Sequence, residues 1–235
     1  MQTVIIAGGK GTRLGITDIP KPMLKIGSKP VLQYQVELAK KYFSDEIFII
    51  SGYLSDVITD FFNEKNFSKI HHIKEPFPLG TAGSLKLLEG KLKSRFLVLY
   101  GDIMMNMNLE NLVKFDNMHS NSMGTAVVHV NNHPYDSDLI FADSNNKITK
   151  ILSKPHKNLL SEQYLANSGI YIFSAEIFKY IDKDMPQDIG KDILTKVIND
   201  KNNLYAYITD EYIKDIGTVE RLEKVRQDFI SGRIL

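Results

Sequence analysis

Four apolar residues, Val4-Ile5-Ile6-Ala7, run directly into Gly8-Gly9-Lys10-Gly11-Thr12-Arg13-Leu14. A short continuous apolar run ending in glycine suits a strand buried on both faces, as in a parallel sheet. Loops that leave the carboxyl edge of such a sheet are where ligands bind. Three glycines let backbone N–H groups approach an anion closely. Lys10 and Arg13 add positive charge, and Thr12 adds a hydroxyl. The segment, with Ala7, Gly8, Gly9, Gly11 and Thr12, therefore reads as a phosphate-binding loop. A Walker loop would need Gly-Lys-Ser/Thr, which is absent, and a dinucleotide fingerprint would need glycine where Leu14 stands. A plain glycine turn between strand and helix accounts less well for the Lys and Arg.

The rest of the chain alternates strand-length apolar runs with helical periods. From Ser28, residues Leu32, Val36, Ala39 and Phe43 line one helical face, with Ser28 as N-cap and Pro30 in the first turn. Strands are expected at 46–50, 70–74 and 95–100, the last ending in Gly101-Asp102, and helices at 55–62 and after the loop that opens at Gly80. Such alternation indicates βαβ units and a mainly parallel sheet. After about residue 123 the texture shifts to strands at 125–130, 139–142, 147–152, 169–173 and 204–208. Asp143-Ser144-Asn145-Asn146 is a hairpin turn between two of them. A helix is expected over 193–198, and a last one from Thr218, with Val219, Leu222, Val225 and Phe229 on one face. There is no repeat or linker, so one α/β domain with a mixed-sheet second half is expected.

Composition narrows the function. Lys plus Arg (29) nearly balances Asp plus Glu (28), which leaves no basic field for nucleic acid. With no cysteine, Cys nucleophiles, Cys-ligated zinc and disulfides are excluded. A chain of 235 residues buries roughly 70–75% of its unfolded surface and needs no such staple. The N-terminus lacks the basic start and longer apolar stretch of a signal peptide, and no apolar run approaches the ~20 residues of a membrane span. A cytoplasmic location without a membrane partner is expected, and a homo-oligomer is left open.

Further motifs extend the glycine loop: Lys21-Pro22-Met23-Leu24, PLGTAGSL (Pro78 to Leu85), LVLYGD (Leu97 to Asp102), SKP (Ser153 to Pro155), NSGIYIF (Asn167 to Phe173) and IKDIGT (Ile213 to Thr218). In this order they resemble the sugar-1-phosphate nucleotidyltransferases, the nucleotide-sugar pyrophosphorylases, over nearly the whole chain. HPYDSDLI, DIGKDIL and IKDIGTVERLEKV most resemble the heptose-1-phosphate guanylyltransferases within that family. The resemblance implies a Rossmann-like, GT-A-like three-layer α/β/α fold with a mainly parallel mixed central sheet. It also implies a nucleotide-binding half over about 1–122 and a sugar-phosphate-binding half over about 123–235.

It further implies a reaction. A sugar 1-phosphate oxygen attacks the α-phosphorus of a nucleoside triphosphate, and pyrophosphate leaves. Two unit charges ~4 Å apart repel by roughly 4 kcal/mol at an effective dielectric of ~20, so cations and alignment are the main requirements. By the resemblance, Arg13 and Lys21 stabilise the transferring phosphate, and Asp102 and Asp215 hold Mg²⁺. Gly80, Thr81 and Gly101 contact the nucleotide. Lys154 grips the sugar phosphate, and Asn167 and Gly169 touch sugar hydroxyls. On the residues alone, Lys21 reads as a solvated loop lysine, lifted only by the motif match, and Asp215 reads equally as a residue of the loop entering the last helix. Many relatives carry Glu where this chain has Ser153; Asp136 or Asp138 is expected to compensate. The implied pair is GTP with a manno-configured heptose 1-phosphate. A mannose-1-phosphate guanylyltransferase, or a relative using CTP or UTP, is the nearest alternative.

Other signals carry less. His129 and His133 have the spacing of a helical zinc site, but VVHVNNHP is strand-like and then meets Asn-Asn and Pro. Adjacent His71 and His72 point to opposite faces of a strand. Asp136-Ser137-Asp138 matches the DxD metal motif of glycosyltransferases, which do not carry GGKGTRL at the N-terminus. A nucleotide-sensing domain without catalysis would require a damaged loop or metal pair, and Arg13, Lys21, Asp102 and Asp215 are all present.

Overall fold

The computed structural model describes residues 1–9, 11, 14–43, 45–65, 67–131, 134–156, 159 and 164–234. They form two compact units: one comprises Met1–Pro78, Leu99–Leu109 and Glu211–Leu235, the other Leu79–Val98 and Glu110–Asp210.

The first unit opens with β1 (Gln2–Ile6). A two-rung hairpin, β2 (Lys25–Ile26) and β3 (Lys29–Pro30), leads into α1 (Val31–Tyr42). The helix starts two residues later than a cap at Ser28 predicts. Lys25 pairs with Pro30 across the hairpin, so residues up to Pro30 are committed to it. Pro30 occupies the capping position without a side-chain cap, and Phe43 leaves the helix in extended backbone. Gly27 turns the hairpin at φ +60°, and a Cβ there would lie 2.6 Å from the Phe229 ring, so only glycine fits. Then come β4 (Ile47–Ser51), α2 (Ser55–Glu64) and β5 (Ile70–Lys74). β1, β4 and β5 form the expected parallel ladder, with Thr3 opposite Ile47 and Ile47 opposite Ile70. The α2 helix joins β4 to β5, as a parallel crossover requires.

Strand β6 (Arg95–Tyr100) gives its last two residues to this unit, followed by Gly101-Asp102 and β7 (Ile103–Asn106). Near the far end of the chain, β13 (Tyr212–Asp215) pairs antiparallel with β7, and α6 (Val219–Ile230) follows. Thr218, where the last helix was expected to begin, caps α6, its hydroxyl accepting from Arg221 N at 3.3 Å. One apolar cluster joins these pieces: Leu24, Ile26, Val31, Met104, Ile216, Leu222 and Val225 are all buried in it. Beside it lies Asp228, only 2% exposed. It accepts from Lys224 at 2.8 Å, from Lys214 at 3.1 Å and from the Tyr212 hydroxyl at 3.1 Å. Burial alone would raise its pKa, but these hydrogen bonds outweigh it and hold the carboxyl well below the usual range. Asp228 thereby ties β13 to α6.

The second unit begins with α3 (Gly80–Lys86) and the start of β6. Sequence periodicity left the stretch after Asn108 unassigned, and it forms α4 (Leu109–Met118). The remaining elements are β8 (Gly124–Asn131), β9 (Leu139–Ala142), β10 (Ile148–Leu152), β11 (Tyr164–Ser174), α5 (Thr195–Asn199) and β12 (Leu204–Ile208). β8 runs antiparallel to β11 and parallel to β12, while β9 runs antiparallel to β10 and β11. The expected mixed character is therefore present. Strand β11 starts five residues before the predicted Gly169, and its register shifts between Asn167 and Tyr171. A wide helical turn over Ile189–Leu194 precedes α5, so the helix predicted from Ile193 has an earlier and less regular start. Asp116, fully buried, anchors the unit: Arg95 Nε donates to it at 2.6 Å and the Thr125 hydroxyl at 2.7 Å.

Candidate functional site

In the first unit, the glycine loop leaves β1 as the sequence predicts. Ala7 is buried, and its N–H donates to the Ile50 carbonyl at 2.7 Å. Gly8 lies against Glu75 at the end of β5; a Cβ on Gly8 would fall 1.8 Å from Glu75 Oε1. Gly9 has open space around it, the condition for backbone to receive a ligand. Gly11 adopts φ +63°, and a Cβ there would meet Lys21 Cβ at 3.3 Å, so the loop folds onto the Lys21 turn. Thr12, Arg13, Lys10 and His133 lie outside the described residues.

Gly101 backs the same loop. Its N–H donates to the Ile6 carbonyl at 2.8 Å, and a Cβ would sit 3.0 Å from that oxygen. Gln35 on α1 fixes the turn that follows. Its buried amide nitrogen donates to the Tyr100 carbonyl at 2.9 Å and the Ile103 carbonyl at 2.7 Å, one on each side of Gly101-Asp102. Sequence periodicity placed Gln35 on a helix but gave no sign of this clamp, which depends on the position of β6.

Asp102 and Asp215 are brought together by the β7–β13 ladder. Asp215 stands opposite Ile103, and Ile216 N donates to the Asp102 carbonyl at 2.9 Å. Asp215 thus ends a strand and does not lie in a loop, a correction to the sequence reading. That reading missed both short strands because each has only four residues and they lie far apart in sequence. Each carboxylate carries a cation: Lys21 Nζ pairs with Asp102 Oδ2, and Arg221 Nη1 with both oxygens of Asp215, at 3.0 and 2.8 Å. Lys21 is therefore no stray loop lysine, since its side chain is only 10% exposed. Arg221 was not singled out in the sequence, although it lies six residues after Asp215 in the same motif. Among the described residues no three His, Asp or Glu groups converge as a metal site. Asp102, just before β7, and Asp215, on the neighbouring strand β13, are the residues that would hold Mg²⁺, which takes one or two carboxylates and completes its shell with phosphate oxygens and water.

In the second unit, the PLGTAG segment is locked to residues 187–189. Gly80 takes φ +70°, and a Cβ there would lie 2.5 Å from the Gln187 carbonyl, so no other residue fits. Ala82 N donates to that carbonyl at 2.9 Å, the Thr81 hydroxyl donates to Asp188 Oδ2 at 2.9 Å, and Ile189 N donates back to the hydroxyl at 2.8 Å. Asp188 was not identified from sequence, although it opens the DIGKDIL stretch.

Lys154, Asn167 and Asp138 are drawn together in the same unit. Asp138 Oδ1 accepts from Lys154 N at 3.1 Å, and the Asp138 carbonyl accepts from Asn167 N at 2.9 Å. Lys154 Nζ reaches the Asp136 carbonyl at 3.0 Å. Asn167 Nδ2 donates to the Tyr171 hydroxyl at 2.7 Å, and Gly169 adopts φ +74° where the strand bulges. Gly190 lacks the side chain that would crowd this cluster: a Cβ there would stand 3.0 Å from Asp138 Oδ2 and 3.2 Å from Asn167 Nδ2. Of the two acids expected to compensate for Ser153, Asp138 is the one whose carboxylate joins the cluster. Asp136 is exposed and offers Lys154 its backbone oxygen.

"Bifunctional protein GlmU" of Methanococcus maripaludis is 31% identical over 223 residues, covering 92% of this chain and 51% of that protein. "Probable mannose-1-phosphate guanylyltransferase 1" of Oryza sativa is 29% identical, covering 99% of this chain and 63% of that one. The chain spans about half the length of the GlmU relatives it matches. Among solved structures, HddC from Yersinia pseudotuberculosis complexed with GMP-PN superposes with a TM-score of 0.82 at 28% identity, covering 97% of this chain and 99% of that one. No helix of the described residues is long and apolar enough to cross a membrane. Residues 2–232 match the sequence model of the nucleotidyl transferases, and the chain belongs to that family.

Proposed function

We propose that the chain transfers a nucleoside monophosphate from a triphosphate to a sugar 1-phosphate, releasing pyrophosphate. The observation that carries this is the meeting of Asp102 and Asp215 across the β7–β13 ladder, with Lys21 on Asp102 and Gly101 against the root of the glycine loop. The loop's amides and Arg13 receive the triphosphate. Lys21 offers its ammonium to the α-phosphate, where negative charge builds as the nucleophile arrives. Asp102 and Asp215 would hold Mg²⁺, which, when bound, supplies charge neutralisation across the phosphates. No proton acceptor is needed, because the attacking phosphate oxygen is already an anion.

The donor is GTP and the acceptor a manno-configured heptose 1-phosphate. The sequence resemblance supports this pair, as does the likeness to HddC, whose solved structure holds a guanine nucleotide analogue. Gly80 and Thr81 present the base-reading segment, held rigid by Gln187 and Asp188. Lys154 takes the sugar phosphate, Asn167 and Gly169 the hydroxyls, and Asp138 replaces the acid lost at Ser153. A heptose carries one hydroxymethylene more than mannose. A site built to bond that hydroxyl rejects the analogue lacking it by as much as ~10⁴-fold. With GTP, heptose 1-phosphate should therefore give a far higher kcat/KM than mannose 1-phosphate in a pyrophosphate-release assay. Equal or better use of mannose 1-phosphate overturns the sugar assignment, and faster turnover with UTP or CTP overturns the base.

Lys154→Ala should raise the KM for the sugar phosphate roughly tenfold and leave that for the triphosphate unchanged, one charge-assisted phosphate contact being lost. Initial-rate kinetics with each substrate varied in turn separate the two. Equal effects on both would remove Lys154 from the sugar site.

A further inference from the structure

Asp215 is held in an unusual way for a residue read as a metal ligand. A single nitrogen, Arg221 Nη1, lies 3.0 Å from Oδ1 and 2.8 Å from Oδ2. A cation nearly equidistant from both oxygens sits on the bisector of the carboxylate, which is the place a bidentate metal would take. Gly217 N also donates to Oδ1 at 2.8 Å, so that oxygen already accepts two hydrogen bonds. Across the ladder, Lys21 sits on Asp102 Oδ2. Among the described residues, each of the two carboxylates thus pairs with one side-chain cation.

A divalent cation entering this site would add two positive charges beside Lys21 and Arg221, and like charges at this range repel. Side-chain exposures of 33% for Arg221 and 38% for Asp215 leave the arginine room to swing outward. Its backbone N–H stays on the Thr218 cap whether or not the guanidinium moves. Exchange of two monovalent side-chain charges for one divalent ion leaves the carboxylates neutralised as before, and the displaced cations become available to a polyphosphate.

We propose that Arg221 is the counter-cation of Asp215: it competes with a divalent cation for that carboxylate, and so sets how weakly metal is held before nucleotide arrives. This rests on the reading of Asp102 and Asp215 as metal ligands. Arg221 is a positioning residue, acting through Asp215. Its removal should tighten metal binding, the opposite of what loss of a merely structural contact would do.

The test is a titration with Mn²⁺ alone, without nucleotide, following the free aqueous ion by electron paramagnetic resonance. Arg221→Gln should bind Mn²⁺ about fivefold more tightly than the wild-type chain, the scale set by a partly exposed ion pair. Arg221→Lys, which keeps the charge without the planar group, should fall between them. Asp215→Asn should bind more weakly than wild type. If Asp215→Asn weakens binding but Arg221→Gln is unchanged or weaker than wild type, the counter-cation role is overturned and the metal assignment stands. If Asp215→Asn binds like wild type, the metal assignment of Asp215 falls, and the role of Arg221 falls with it.

Discussion

Asp102→Asn and Asp215→Asn should each lower kcat by about 100–1,000-fold at saturating Mg²⁺, with unfolding midpoints close to that of the parent. The exchange of oxygen for an amide keeps shape and removes the charge. At position 215 the hydrogen bond from Gly217 N has an acceptor in either side chain. At position 102 the main-chain bond from Ile216 N to the carbonyl is untouched, and Gln35 still clamps both flanking carbonyls. These backbone contacts hold the local fold while Lys21 or Arg221 loses its ion-pair partner, and the loss of rate falls on the phosphates, whose charge would then be neutralised by a cation held by one carboxylate instead of two. Single-turnover rates over a range of Mg²⁺ concentrations give the measurement. Wild-type turnover by either variant removes that carboxylate from the metal pair.

Lys21→Met should reduce kcat by a similar 100–1,000-fold and change the KM for the triphosphate much less. Its ammonium contributes most where charge builds at the α-phosphate, and an interaction made chiefly in the transition state appears in kcat. Methionine nearly fills the volume of the lysine stem, which packs beneath Gly11, so the glycine loop keeps its support. Asp102 loses its ion-pair partner, and binding of Mn²⁺ without nucleotide should tighten in this variant too. A large rise in KM with kcat preserved would make Lys21 a general docking cation, without a share in the chemistry.

Much of this molecule is written in local sequence. The parallel pairing of β1 and β4 follows from apolar runs that have the length of strands and end in loop residues, because a strand buried on both faces has few other compositions open to it; β5, at the sheet edge, has no buried residue. The cap at Thr218 and the turn at Asp143, whose side chain accepts from Asn145 N and Lys147 N, follow from side chains that bond their own neighbours. Features made by distant partners escape such a reading. β7 and β13 have four residues each and are strands only because they pair with one another. Ser28 looks like a helix cap, yet the hairpin closed by Gly27 takes the residues up to Pro30. At the site, the motifs pointed to Lys21, Asp102, Asp215, Lys154 and Asn167. Gln35, Asp188 and Arg221 emerge only when the partners they hold are brought into place.

The first unit is assembled from three stretches of chain, and its last, Glu211–Leu235, supplies β13, α6, Asp215 and Arg221. On the ribosome this has a temporal meaning. When the glycine loop and Asp102 have already emerged, Met104, Ile26 and Val31 still lack Ile216, Leu222 and Val225, the residues that later share their cluster. The nascent first unit therefore waits with an uncovered apolar surface, and Asp102 without Asp215, while more than a hundred residues of the second unit are made. A chain halted before Glu211 has Asp102 without Asp215. The pairing of β13 with β7 that brings Asp215 to the strand beside Asp102 also closes the core, so both arrive together, late in synthesis.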